Sequence, residues 1–584
     1  MPSPNNGISS IPEMEGQPGT RRLHRTSARE AALLMVLAVF VGLASGVSAV
    51  ILSKAVHYAT TLMVLLQGNA WIMLVPAAGA GLSALFLHSL LRDSSGHGVP
   101  ELIRAAAFGG GRVRRDMIFS RLISSFLTVG SGGSAGLEGP IAVSGGAIGS
   151  SIGSLLRFNE RRRTLLLGYG VAGAVAAIFN APLTGTVFAL EVILGEWSAL
   201  SILPTIVSAV SATQFSRLIL GNQSAFSHGL ISFHTWDLLV VVALGVGTGL
   251  LSVLFQHGLR LVEVHARQAV PRVWIRATLG GLLVGTTGYF MPDVLHDGYL
   301  VIQKFLFEEV SVSLMGVFLF VMLKFMASCF TLGSGGSGGV FAPSLVLGSA
   351  SGFGFGHLMR TMFPMVEWSS ASAFALVGMA GMVAGLMHAP LTGMFLVLEI
   401  TGSYGLVLPL MLVSVIAMLI SYFFEEGSVY TRELISRGEL AKRGSDQHLL
   451  QTMAPRELVD KEDITLAEDM LLGQFVHIFK RAKRNVFPVV DPNSRTWLGV
   501  VYLDDLRPYL FDQAMYPIMT MGSVMHSDLP IIAADESALD AIQKFESSGA
   551  WSLPVIDKGR FLGMMSKSTL FDRYRRELIV HTTE

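Results

Sequence analysis

Seven stretches of this chain, near 31–53, 55–91, 164–190, 238–259, 325–359, 368–398 and 400–424, run without a single Asp, Glu, Lys or Arg. About 20 apolar helical residues cross a bilayer, so a chain built this way folds as membrane-spanning helices. Several of these runs exceed one crossing or are interrupted by Gly and Pro, which predicts broken helices of the kind found in transporters. The first run lacks a signal-peptide cleavage pattern. Arg21, Arg22, Arg25 and Arg29 precede it and place the N-terminus in the cytoplasm by the positive-inside rule. Charged residues are only 14% of the chain and crowd into its last quarter, which predicts a soluble domain after the membrane region. Formal net charge is +0, so no nucleic-acid footprint is expected. The single cysteine, Cys329, lies in an apolar run and reads as structural.

The membrane region is a duplication. "GSGGSAGLEGP" starts at Gly130 and "GSGGSGGVFAP" at Gly333; "NAPLTG" starts at Asn180 and "HAPLTG" at His388. Each PLTG is followed at the same distance by an acid, Glu191 or Glu399. Two unlike motifs in one order at nearly one offset are not a coincidence. Broken helices facing each other near the midplane fit an inverted repeat.

Glu138 sits inside the first Gly-rich motif. A carboxylate at bilayer depth costs roughly 2.5–3.5 kcal/mol on insertion scales, so its retention points to function. Helix N-termini carry orphan N–H groups and a partial positive charge, which bind anions without a full cation. Glycine lets the backbone approach the ion, and proline is tolerated in a first helical turn. A Gly-rich stretch ending in Pro, twice, therefore reads as two helix N-termini aimed at one anion. Close helix packing through small residues is the plainer reading of the same glycines. Such packing has no use for a buried acid.

These residues resemble the CLC chloride channels and proton/chloride exchangers. The similarity lies in "GHGVPE" (96–101), "GLEGP" (136–140), "GVFAP" (339–343) and Tyr430 in "SVYTRELISRG", in order across about 29–440. It implies an all-α polytopic membrane domain with an inverted repeat, in halves near 29–225 and 235–440, after a cytoplasmic segment at 1–28. It implies a homodimer with one anion pathway per subunit. Glu138 resembles the gating glutamate, an anion that competes with chloride and yields on protonation or displacement. The chloride-binding set implied is His97, Gly98, Val99, Gly136, Leu137, Gly139, Val340, Phe341, Ala342 and Tyr430.

Three departures from the family pattern bear on mechanism. His97 stands where a serine is usual, and a neutral histidine still donates one hydrogen bond. Leu137 stands where many members carry Arg or Lys, which removes a nearby attraction for anions. Val192 stands where many exchangers carry an internal proton-relay glutamate. That valine favours a chloride channel; the alternative is an exchanger with another proton route, over Glu138 and Glu191. Glu191 also reads as a structural acid, since Glu399 holds its place in the second repeat. A fluoride exporter fits less well, because "GVFAP" is of the ordinary chloride type.

After a linker at 441–452, "NVFPVVDPNSRTWLGVVYLDDL" from Asn485 and "WSLPVIDKGRFLGMMSKSTL" from Trp551 each read as a hairpin followed by a helix. They resemble a CBS pair, here 453–515 and 522–577, a small α/β cytoplasmic module. Such pairs commonly hold adenine nucleotides through G-x-x-S/T-x-x-D. This chain keeps half of that pattern in each copy, Tyr502 with Asp505 and Ser566 with Thr569. The plainer reading is a dimer-stabilising module without a ligand.

No Ser/His/Asp or Cys/His signature, zinc spacing or P-loop is present, so no enzyme, required cofactor or metal site is expected. A cation transporter would need several intramembrane acids, and a non-transporting nucleotide sensor would show no anion flux. The expectation is a chloride-transporting protein of the plasma (inner) membrane with both termini cytoplasmic.

Overall fold

The computed structural model describes residues 18–65, 69–91, 98–222, 233–307, 313–437, 453–460, 464–480 and 484–583, together with Glu439, Leu450 and Ala482. Most of the proposed linker at 441–452 therefore lies outside the described residues. The chain divides into two compact units, Met1–Ser436 and Arg437–Glu584.

Among the described residues, the regular elements of the first unit are helices. Its elements are α1 Pro18–Val64, α2 Leu74–Leu85, α3 Val99–Ala107, α4 Met117–Gly130, α5 Glu138–Leu155, α6 Glu160–Phe179, α7 Pro182–Phe188 and α8 Ala199–Leu220. The second set is α9 Leu238–Ala269, α10 Val273–Phe290, α11 Tyr299–Leu306, α12 Leu314–Gly333, α13 Phe341–Met362, α14 Ala371–Met387, α15 Pro390–Thr401 and α16 Val407–Phe424, followed by α17 Arg432–Ser436. Among the described residues, 7 helices are long and apolar enough to cross a membrane. The apolar runs at 164–190, 325–359 and 368–398 are each two helices with a break between them.

The breaks have local causes. Asn180 and His388 close α6 and α14 in the left-handed conformation, at φ of +57° and +53°. Pro182 and Pro390 then open α7 and α15 at the helix start, where a missing N–H costs nothing. The repeated "APLTG" is thus a helix stop followed by a helix start.

Packing repeats as the sequence does. The pairs α5 with α6, α6 with α8, α1 with α8 and α4 with α5 recur as α13 with α14, α14 with α16, α9 with α16 and α12 with α13. Backbones meet at glycine: a Cβ on Gly145 would lie 2.2 Å from the Gly170 carbonyl, and one on Gly348 2.5 Å from that of Gly378. The packing reading of the glycines is therefore correct at these positions. The halves also clasp reciprocally, α2 against α10 and α7 against α15, as a two-fold relation requires.

The second unit holds two hairpins. β1 (Val486–Val490) pairs antiparallel with β2 (Trp497–Tyr502); β4 (Ser552–Asp557) pairs antiparallel with β5 (Arg560–Ser566) and parallel with the short β3 (Ile532–Ala533). In the first turn, the backbone N–H groups of Ser494 and Asn493 donate to Asp491 and hold its carboxyl below the usual range. Trp497 stacks on Phe561 with centroids 5.5 Å apart, joining the hairpins within this unit.

Candidate functional site

The two Gly-rich motifs meet. Gly136 N donates to Gly339 O at 2.8 Å and Gly339 N to Gly136 O at 2.7 Å, a two-residue antiparallel bridge between the repeats. Two residues further along each chain α5 and α13 begin, at Glu138 and Phe341. Both helices carry proline in the first turn, Pro140 and Pro343, and close it alike, with Ile141 N bonding Leu137 O and Ser344 N bonding Val340 O. Two sets of orphan N–H groups thus converge on one place.

The approach loops are cross-tied. Ser134 N donates to Thr331 Oγ1 at 3.0 Å, and Ser337 N to Thr128 Oγ1 at 3.1 Å, equivalent bonds in the two repeats. Ser124 pairs with Ser337 at 2.8 Å and Ser134 with Ser328 at 3.0 Å. Gly132 and Gly335 turn each loop at φ of +106° and +105°, a conformation that requires glycine.

Glu138 is buried at the first residue of α5. Its Oε1 accepts a hydrogen bond from the Tyr299 hydroxyl. Its Oε2 is buried without a hydrogen-bond partner among the described residues. A Cβ on Gly136 would lie 2.1 Å from that oxygen and 3.0 Å from the Ala342 amide nitrogen, so the carboxylate reaches toward the start of α13. Gly139 N lies 2.9 Å from the corresponding point on Gly339.

The expected chloride-binding residues distribute as follows. Gly136, Leu137, Gly139, Val340, Phe341 and Ala342 come together around the bridge, all buried. Phe341 packs against Phe179 and Phe188, centroids 5.2 and 6.2 Å away. Tyr430 is buried within electrostatic reach of Glu138. Gly98 and Val99 open α3, and a Cβ on Gly98 would meet Val143 of α5 at 2.8 Å. His97 lies outside the described residues.

Glu191 and Glu399 are exchanged between the halves. Glu191 accepts from Leu391 N at 3.1 Å, Thr392 N at 2.8 Å and Thr392 Oγ1 at 2.7 Å, at the N-terminus of α15. Glu399 accepts from Leu183 N, Thr184 N and Thr184 Oγ1 at 2.9, 2.7 and 2.8 Å, at that of α7. Each acid caps the other repeat's helix. Val192 is buried beside Glu191.

In the second unit, Asp505 Oδ2 is taken by His526 Nε2 at 2.9 Å, and the Tyr502 ring faces that imidazole at 5.5 Å. Burial, with Asp505 adding to it, pushes the Tyr502 hydroxyl above its usual range. Ser566 Oγ accepts from Thr569 N at 3.1 Å at the start of the last helix.

Sequence reading passed over Tyr299 and over Lys324, a fully buried lysine on α12. The available signal was a lone lysine in an apolar helix, a functional candidate by the same argument as Glu138.

The family model described as voltage gated chloride channel matches residues 79–422, and the CBS domain model matches 456–512 and 521–576. The chain is 32% identical over 371 residues, 62% of its length and 85% of the relative's, to a ClcB-like protein of Ralstonia nicotianae named for a chloride channel. It is 29% identical over 426 residues, 69% of its length and 89% of the relative's, to the H⁺/Cl⁻ exchange transporter ClcA of Vibrio cholerae. A slow cyanobacterial Cl⁻/H⁺ antiporter of known crystal structure superposes with a TM-score of 0.63 at 25% identity, over 70% of this chain and 99% of that one. Convergent helix starts, a buried acid between them and a matching family model over more than half the chain lead to one conclusion: this is an integral membrane protein of the CLC family of anion transporters, carrying a CBS pair.

Proposed function

We propose that the chain transports chloride through the junction of α5 and α13, gated by Glu138, and that it exchanges chloride for protons. The observation that carries this reading is the Glu138 carboxylate itself. It is buried at the first turn of α5 and reaches toward the Ala342 amide, where a bare anion would be held. An anionic side chain there competes with chloride, and a protonated one does not. Exchange is supported by the similarity to the H⁺/Cl⁻ exchange transporter of Vibrio cholerae and to the cyanobacterial Cl⁻/H⁺ antiporter. A channel is the second reading, and Val192 favours it, because valine offers no proton site and both oxygens of neighbouring Glu191 are engaged. Purified protein in liposomes with a chloride gradient decides between them. Proton uptake against its gradient, driven by chloride, establishes exchange; chloride flux without coupled protons establishes a channel.

The transporting unit is taken as a homodimer with both termini cytoplasmic, the orientation that Arg21, Arg22, Arg25 and Arg29 support. The CBS pair is assigned an adenine nucleotide near Asp505. A ribose there must displace His526, so His526→Ala is expected to tighten nucleotide binding and Asp505→Ala to weaken it, each by about ten-fold, as for one hydrogen bond to a charged group. Titration calorimetry with ATP and AMP checks this. No binding by the unmodified protein removes the ligand.

A further inference from the structure

The element at 98–100 has a second copy in the other repeat. α11 begins after Gly298, whose φ of +82° matches the +74° of Gly98 before α3. A Cβ on Gly98 would meet Val143 Cγ2 at 2.8 Å and Arg121 Nε at 3.5 Å; one on Gly298 would meet Val346 Cγ2 at 2.9 Å and Lys324 Nζ at 3.1 Å. Val143 and Val346, like Arg121 and Lys324, are 203 residues apart, the offset of the Gly-rich motifs. "GVP" from Gly98 and "GYL" from Gly298 are therefore one element in two copies, each with a buried basic side chain behind its glycine. In an inverted repeat such copies open toward opposite sides of the membrane.

The second copy ends on the gate. Lys324 Nζ donates to the carbonyls of Val294 and His296, both at 3.0 Å, which fixes the loop entering α11. His296 ties that loop to the first Gly-rich motif, with its ring nitrogen bonding Val129 O at 2.9 Å and its backbone N bonding Gly132 O at 3.4 Å. Asp297 receives Tyr299 N at 3.2 Å, and the Tyr299 hydroxyl donates to Glu138. In the first copy the residue at this place is Val99, whose side chain has no donor.

We propose that Tyr299 is a positioning residue of the gate, a latch whose hydroxyl holds the Glu138 carboxylate at the junction of α5 and α13, aimed there by the loop that Lys324 secures. This rests on Glu138 being the gate. Chloride must displace a carboxylate that the Tyr299 hydroxyl holds by a hydrogen bond. The Asp297 carboxylate lies within electrostatic reach of Glu138 and opposes the latch by like-charge repulsion.

The test is a cycle of Tyr299→Phe and Glu138→Ala in liposomes, with chloride flux read against chloride concentration. Tyr299→Phe keeps the ring and removes only the donor. Expected is about a ten-fold lower chloride concentration for half-maximal flux, the low end of what a hydrogen bond to a charged group is worth. That ratio collapses to one when the carboxylate is absent. Lys324→Met is expected to act in the same direction and to be non-additive with Tyr299→Phe. A Tyr299→Phe effect of equal size with and without Glu138, or no effect in either background, overturns the latch. If Glu138→Ala alone changes neither flux nor its pH dependence, the gate itself fails, and the two failures are distinct.

Discussion

Glu138→Gln is expected to keep chloride moving while abolishing proton movement and the acid dependence of flux. Glutamine fills the same space at the first turn of α5 and still accepts the Tyr299 hydroxyl, so local packing survives. What it lacks is charge and a proton to exchange. At neutral pH the flux is expected to rise by about ten-fold, because a neutral amide no longer competes with chloride and the bond from Tyr299 loses its charge assistance, worth about 1.5–3 kcal/mol for a hydrogen bond to a charged group. Chloride efflux and proton uptake recorded together over a pH series measure this. A Gln variant with an unaltered pH profile would dismiss Glu138 as the gate.

The second large effect concerns stability. Glu191→Ala is expected to destabilise the membrane unit by about 3 kcal/mol, and Glu399→Ala by a similar amount. Each change strands two backbone N–H groups and a threonine hydroxyl at the start of a helix in the opposite repeat. Three hydrogen bonds to one carboxylate do not add fully, which is why the figure is below their sum. Unfolding of the detergent-solubilised protein, followed for both variants beside the unmodified chain, gives the size and the equality of the two losses. A Glu191→Ala protein that unfolds normally yet loses only proton movement would place that acid on a proton route.

The repeat, the broken helices and the position of Glu138 at a helix start were legible because each is written locally. Gly, Pro and a carboxylate in one short stretch constrain the backbone whatever surrounds it. The crossing of Glu191 and Glu399 was not legible. Their matched spacing identified a shared role, but which helix each acid caps depends on how two segments about 200 residues apart are brought together. Tyr299 escaped for a related reason: "GYL" resembles "GVP" only in its glycine, and the likeness appears once the valine and the basic side chain behind each glycine are in place. In the second unit the hairpins were legible from their turns, whereas the His526 contact with Asp505 arises from chain 21 residues away.

The Gly136–Gly339 bridge limits how this protein can change shape. Many transporters with internal repeats alternate access by rocking one half against the other. Here the halves are stitched backbone to backbone at the junction of α5 and α13 and riveted again by two exchanged carboxylates. Rocking would have to break those bonds in every cycle. A gate made by the Glu138 side chain alone needs no such rocking, so under the proposed mechanism turnover is expected to follow side-chain rotation.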